Sequence, residues 1–134
     1  SFEKIPCHND TVPENFLMDT SHKRPYLIDW EYSGMNDPAW DIAMYICESR
    51  LSSRAISEFF SYYYGSRGAN QEELLKIKCF IMAQDLLWSV WALVRHYSGE
   101  DFLDYCYNRY NRFRRNLRNM AKNTSQSVAD MVKW

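Results

Sequence analysis

Cys7-His8-Asn9-Asp10-Thr11-Val12-Pro13-Glu14-Asn15, followed by Tyr26-Leu27-Ile28-Asp29-Trp30-Glu31, decides how the rest of this chain is read. In outline it is a His-x-Asp-x4-Asn loop, then an apolar strand that ends in an acid. Between them lie Phe16-Leu17-Met18 and a polar stretch over residues 19–25. Two brief apolar runs on either side of a polar turn predict a hairpin or two neighbouring short strands. Such a hairpin carries Asp29 back to the end where Asp10 and Asn15 sit, and three oxygen-bearing side chains then share one corner.

Beyond that stretch the pattern turns helical. Asp37-Pro38 offers an N-cap and a proline at the first helical position, which opens a helix running to about Ser49. Ser52 or Ser53 caps a second helix through Ile56, Phe59, Phe60 and Tyr63, ending near Gly65. Asn70 with Glu73 forms a capping box for a third helix. Its apolar residues Leu74, Ile77, Ile81, Leu87, Trp88, Trp91 and Val94 recur at helical spacing until Gly99. A fourth helix over about 100–122 gathers Phe102, Tyr105, Cys106, Arg109, Tyr110 and Phe113 on one face. The expected fold class is α+β and mostly α: a short hairpin at the loop, then about four helices. One domain over 1–134 is expected, with loop and hairpin in 1–36, a helical body in 37–122 and a weakly patterned tail in 123–134.

Composition bounds the function. The chain has 134 residues, 46% hydrophobic and 25% charged, as an ordinary globular domain does. Aromatic residues reach 16%, enough to furnish a cation cage as well as a core. The four cysteines are widely spaced with no C-x-x-C pair, which argues for reduced thiols rather than a zinc site. No unbroken apolar run approaches the ~20 residues of a membrane span, and no secretory signal opens the chain. Neither a membrane nor a nucleic acid is therefore expected as a partner, and the expected location is cytoplasmic. The basic excess is small and confined to one helix end. Residues 1–50 hold nine acids against four bases, a balance that suits a site for cations, whether metal ions or an ammonium substrate.

The loop suits one chemistry in particular. Phosphoryl transfer from a nucleotide needs a carboxylate to accept the acceptor's hydroxyl proton, and amide and carboxylate oxygens to hold Mg²⁺ on the phosphates. Asp10, Asn15 and Asp29 offer those groups, and the Asp10–Asn15 spacing matches the protein-kinase pattern H-R-D-x-x-x-x-N.

Residues 8–41 resemble the choline/ethanolamine kinase family. The likeness is carried by Ile28-Asp29-Trp30-Glu31-Tyr32, Asn36-Asp37 and Trp40-Asp41-Ile42-Ala43, and it continues through Leu86-Leu87-Trp88-Ser89-Val90-Trp91 to about Arg118. Among family members the sequence is most similar to the bacterial choline kinases, which share a protein kinase-like superfamily with the aminoglycoside phosphotransferases. The resemblance implies that this is the C-terminal lobe of such a kinase, with Asp10 as catalytic base and Asn15 and Asp29 as ligands of Mg²⁺ and hence of bound ATP. His8 would be a structural member of the loop. Asp41 would hydrogen-bond the loop backbone, although an acid in a first helical turn is also favoured by the helix dipole alone.

The substrate pocket admits two readings. Trp88 and Trp91 lie three apart on one helical face, and an aromatic stripe at that spacing is ordinarily core. The family places tryptophans of this helix around a quaternary ammonium, which cannot donate a hydrogen bond and needs aromatic faces and carboxylates. Tyr105, Glu31 and Glu48 are the further candidates for that pocket, and the tryptophan rings are expected beside Asp10. Where eukaryotic relatives have another aromatic, residues 49–53 offer none.

A kinase of this kind also needs a Gly-rich loop and a Lys–Glu pair over the phosphates. The chain has no G-x-G-x-x-G, and its opening Ser-Phe-Glu-Lys reads as the edge of an excised piece. The expected partner is therefore the ATP-binding N-terminal lobe of the same parent chain, and the isolated fragment is expected to be inactive. The expected activity of the parent is phosphorylation of choline to phosphocholine. The alternatives are ethanolamine, an aminoglycoside or another small alcohol, or a degenerate lobe that serves as an interaction module.

Overall fold

The computed structural model describes residues 4–123, so the expected tail lies almost wholly outside the described residues. The chain divides into two compact units between Ala69 and Asn70.

The first unit opens with β1 (Ile5–Cys7) and contains β2 (Phe16–Asp19), β3 (Arg24–Leu27) and β4 (Gly34–Asn36). β2 and β3 form the expected hairpin, with Phe16 opposite Leu27 and Asp19 opposite Arg24. β1 and β4 form a second antiparallel pair that the sequence did not single out, with Ile5 opposite Asn36 and Cys7 opposite Gly34. Each of these strands is three residues long and carries a proline or a glycine, so neither gives a local strand signal.

The hairpin turn is held by one carboxylate. Asp19 accepts from the backbone N–H of Ser21 (2.9 Å), the Ser21 hydroxyl (2.5 Å) and His22 Nδ1 (2.8 Å). These bonds hold its carboxyl down at about 2. A depressed carboxyl stabilises the fold above its ordinary value of ~3.9, and that contribution is lost as pH falls towards the folded value. In an NMR titration the Ser21 and His22 amide shifts should follow a midpoint near 2. A midpoint near the ordinary ~3.9 would mean that the turn is not held this way.

Helix α1 (Pro38–Glu48) begins as its sequence requires, with the Asp37 side chain accepting from the Ala39 N–H (2.9 Å) and Pro38 in the first turn. It buries Ala39, Ile42, Ala43, Met44, Ile46 and Cys47. A single such side chain as Met44 is worth about 1.5–3 kcal/mol in apolar burial. The helix gives way at Ser49 and at Arg50, which takes a left-handed φ of 49°. In α2 (Ser53–Tyr64) the N-cap is Ser52, whose hydroxyl accepts from the Ala55 N–H (3.3 Å). It stops at Gly65, where φ is +60°.

The second unit is a pair of long helices, α3 (Gln71–Tyr97) and α4 (Leu103–Asn123). Both halves of the capping box at Asn70 and Glu73 are made. α3 ends at Ser98, just before Gly99 with φ +96°. The buried face of α3 differs from the expected one. Ile77, Ile81, Met82 and Ala92 are buried together with Gln84, Asp85 and Ser89, whereas Leu87, Trp91 and Val94 are exposed. α4 meets α3 in part through Arg109 and Arg112, which both bond the buried Asp85. Tyr110, expected on the packed face of α4, is likewise exposed.

Among the described residues α3 is also long and apolar enough to cross a membrane by length and composition, and 39% of its most apolar stretch is buried within the protein. Lys78 and Asp85 interrupt its apolar residues, so the helix holds no unbroken apolar run.

Candidate active site

The loop of residues 8–15 is built around one helical acid. Asp41, in the first turn of α1, accepts from the His8 N–H through Oδ2 and from the Asn9 N–H through Oδ1, both at 2.8 Å. The Thr11 hydroxyl donates to the Asp41 carbonyl (2.6 Å), and Trp40 Nε1 donates to the Asn9 carbonyl (3.3 Å). Asn9 needs this support because its φ is +66°, a conformation that asparagine tolerates better than most residues. Its side chain donates to the Tyr32 carbonyl (2.9 Å) and accepts from Asn36 Nδ2 (2.8 Å). The Asn9 side-chain bonds to Tyr32 and Asn36 were not foreseen. Their one sequence signal is an asparagine between the two chemical residues of the loop, a position suited to a left-handed turn.

His8 is buried, and its two nitrogens have distinct tasks. Nδ1 accepts from the Asp10 N–H (3.2 Å), which puts the ring proton on Nε2 for donation to the Ile28 carbonyl (2.8 Å). The Trp30 ring meets His8 edge-on at 4.7 Å. With both nitrogens engaged, His8 ties the loop to the end of β3.

Asn15 makes the reciprocal tie. Its backbone carbonyl accepts from the Ile28 N–H (2.9 Å), and its side-chain nitrogen donates to the Asp10 carbonyl (2.9 Å) and to Asp10 Oδ2 (3.2 Å). Both backbone polar groups of Ile28 are thus bonded to the loop, and Asp29 follows it directly with φ +63°. Asp10, Asn15 and Asp29 therefore belong to one hydrogen-bonded corner of the first unit. Asn15 is buried, Asp10 half-buried and Asp29 exposed.

The corner fits a hard cation in kind. The Asn15 amide nitrogen faces Asp10, which leaves its oxygen and the Asp29 carboxylate as the donors of the type Mg²⁺ takes. Among the described residues no group of three or more His, Cys, Asp or Glu is arranged to hold a metal, so any metal here relies on the amide and on the ligands a nucleotide brings. Glu31 is exposed in the turn after Asp29, and Glu48 is half-buried at the end of α1.

The remaining site candidates fall in the second unit, where they form a chain of rings. Trp88, half-buried, meets Trp91 edge-to-face at 5.7 Å; Trp91 meets Phe102 at 5.0 Å, and Phe102 meets Tyr105 at 6.2 Å. Arg95 lies over the Trp91 ring at 5.7 Å and is fixed by Glu100 (2.7 Å). Phe102 was not among the sequence candidates for this cluster. It lies in the connection between α3 and α4 and becomes part of the group only once both helices are placed.

Set against known proteins, residues 4–116 match the sequence pattern of the choline/ethanolamine kinase family. Protein LicA of Haemophilus influenzae is 39% identical over 109 residues, which cover 78% of this chain and 40% of that protein. A choline/ethanolamine kinase family protein from Mesorhizobium loti superimposes with a TM-score of 0.78 at 30% identity, over 98% of this chain and 43% of that one. The choline kinase LicA from Streptococcus pneumoniae gives 0.72 at 41% identity (86% and 40%), and LicA in complex with AMP gives 0.71 at 40% (86% and 39%). The chain thus spans about 40% of the length of these relatives.

Proposed function

The chain belongs to the choline/ethanolamine kinase family, and from that premise we propose that the enzyme it is part of transfers the γ-phosphoryl group of ATP to the hydroxyl of choline. The observation that carries this reading is the corner in which His8 and Asn15 both bond Ile28 while Asp41 holds the loop backbone. The Asn15 amide meets the Asp10 carboxylate there and Asp29 follows Ile28 in the chain, which supports a site with the two carboxylates and the amide that phosphoryl transfer to an alcohol requires.

Asp10 is the base, accepting the proton as the choline oxygen attacks phosphorus. Asn15 and Asp29 hold Mg²⁺, which when bound offsets the negative charge of the phosphates. Residues 1–134 act as one catalytic lobe, completed by an ATP-gripping lobe elsewhere in the parent chain. Choline is favoured over other alcohols by the ring chain of Trp88, Trp91, Phe102 and Tyr105, because aromatic faces suit a cation that cannot hydrogen-bond. The enzyme works in the cytoplasm.

The direct test is turnover of the full-length enzyme on choline, ethanolamine and an aminoglycoside. Choline should give the highest kcat/KM. A better ethanolamine rate would move the assignment to the amine without its methyl groups, and no turnover of any alcohol would favour a degenerate lobe. Trp88→Leu and Trp91→Leu should each raise the KM for choline by about tenfold or more while moving that for ATP far less, since a desolvated cation–π contact is worth ~2 kcal/mol. Leucine variants that lose stability yet keep choline affinity would remove both tryptophans from the cage.

A further inference from the structure

Between α3 and α4 lies a buried charge cluster that phosphoryl transfer does not use. Asp85 is fully buried and Arg109 is 5% exposed. Asp85 Oδ1 accepts from Arg109 Nη1 (2.9 Å) and from Arg112 Nη2, while Oδ2 accepts from Arg112 Nε (2.8 Å). Arg109 is bonded on its other edge too. Its Nε (3.1 Å) and Nη2 (2.8 Å) both donate to the Tyr105 hydroxyl oxygen, one turn earlier on α4. Tyr105 is the last ring of the chain that runs through Phe102 to Trp91 and Trp88.

A buried ion cluster is weak evidence for stability, because apolar side chains of similar volume usually hold two helices together as well. What this one does that apolar residues cannot is grip a phenol by its oxygen. A hydroxyl oxygen has two acceptor positions, and here both face guanidinium N–H groups. Tyr105 so held has its ring fixed and offers a ligand little acceptor capacity.

We propose that Arg109, anchored by Asp85, is a positioning residue that locks Tyr105 by its oxygen and so makes the aromatic cluster select a quaternary over a primary ammonium. This deepens the amino-alcohol kinase reading and rests on it. A primary ammonium needs hydrogen-bond acceptors, which the locked phenol withholds; a quaternary one needs ring faces, and with Arg109 lying over the Tyr105 ring at 5.1 Å these are the opposite face of that ring and the rings of Phe102, Trp91 and Trp88. Asp85 also offsets part of the charge with which Arg109 and Arg112 would otherwise repel a cationic substrate.

The test uses the full-length enzyme with choline and ethanolamine as alternative substrates. Arg109→Lys keeps a positive charge for Asp85 but cannot reproduce the forked grip. It should raise the KM for choline about three- to tenfold and lower the choline-to-ethanolamine ratio of kcat/KM by a similar factor, the size of an ordinary net hydrogen bond and fitting for a residue that acts through another. The KM for ATP should move less than about twofold, since nothing in the cluster addresses the nucleotide. In a Tyr105→Phe background the same substitution should no longer change the choline KM, because the oxygen through which Arg109 acts is gone. Tyr105→Phe by itself removes one oxygen and keeps the ring, so it reports even where Arg109→Lys fails to fold, and it too should raise the choline KM.

The inference is overturned by an Arg109→Lys enzyme that is less heat-stable but unchanged in KM and substrate ratio. It is equally overturned by an Arg109 effect that persists undiminished without the Tyr105 hydroxyl, or by a silent Tyr105→Phe. Wild-type enzyme that turns over choline with a KM sensitive to Trp91→Leu, alongside silent Tyr105 and Arg109 variants, sinks this inference alone. Wild-type enzyme inactive on both amino alcohols takes the kinase reading down with it.

Discussion

Asn in place of Asp10 in the full-length enzyme should lower kcat by roughly two to four orders of magnitude, the usual contribution of a positioned general base. Affinity for ATP should stay within about threefold, because the substitution leaves the proposed metal ligands Asn15 and Asp29 in place. The fold should tolerate the change for reasons visible in the loop. The Asp10 N–H bonded to His8 and the Asp10 carbonyl bonded to Asn15 belong to the backbone, which the substitution does not touch. Asn15 Nδ2 also meets Asp10 Oδ2, and the new amide still has an oxygen to offer there. A steady-state comparison with a nucleotide-binding titration separates the two effects. Wild-type turnover by the Asn variant, or loss of ATP binding in step with kcat, contradicts the assignment of Asp10 as base.

The loop and the hairpin that follows it were legible because their signals are local. A His-x-Asp loop, a hairpin turn and an apolar run ending in an acid lie within residues 8–29, and the hairpin forms between Phe16–Asp19 and Arg24–Leu27 as its pattern requires. Helix starts were legible for the same reason, since Asp37, Ser52 and Asn70 each cap their own helix within three residues. What stayed hidden is what depends on partners distant in sequence. The β1–β4 ladder joins Ile5 to Asn36, and nothing within either three-residue strand announces it. Apolar spacing along α3 does not by itself say which residues are buried. Asp85 is buried and bonded by Arg109 and Arg112 of α4, while Leu87 and Val94 lie at the surface. A sequence signal existed there: a lone acid amid apolar residues, with two arginines three apart on the next helix.

Removing the Asp29 carboxylate should abolish productive use of Mg²⁺–ATP, and the backbone decides which variant reads this cleanly. Asp29 has φ +63°, where a residue with a Cβ other than Asn or Asp pays roughly 1–2 kcal/mol. Asp29→Ala therefore mixes the loss of a ligand with strain in the turn after Ile28, whose backbone is tied to His8 and Asn15. Asp29→Asn keeps the left-handed preference and removes the charge; Asp29→Gly removes the side chain and relieves the φ. Both should lose about a hundredfold or more in kcat/KM, in line with the several kcal/mol a bound metal supplies to a phosphoryl transition state. Both should also need far more Mg²⁺ for half-maximal rate, while only the Ala variant melts measurably lower. Thermal melts beside Mg²⁺ titrations of turnover distinguish these cases. If the Asn and Gly variants keep wild-type Mg²⁺ dependence, Asp29 is a turn residue and the metal is held elsewhere. If all three unfold alike, the acid is needed for the loop itself, and its place beside Asn15 reflects folding instead of catalysis.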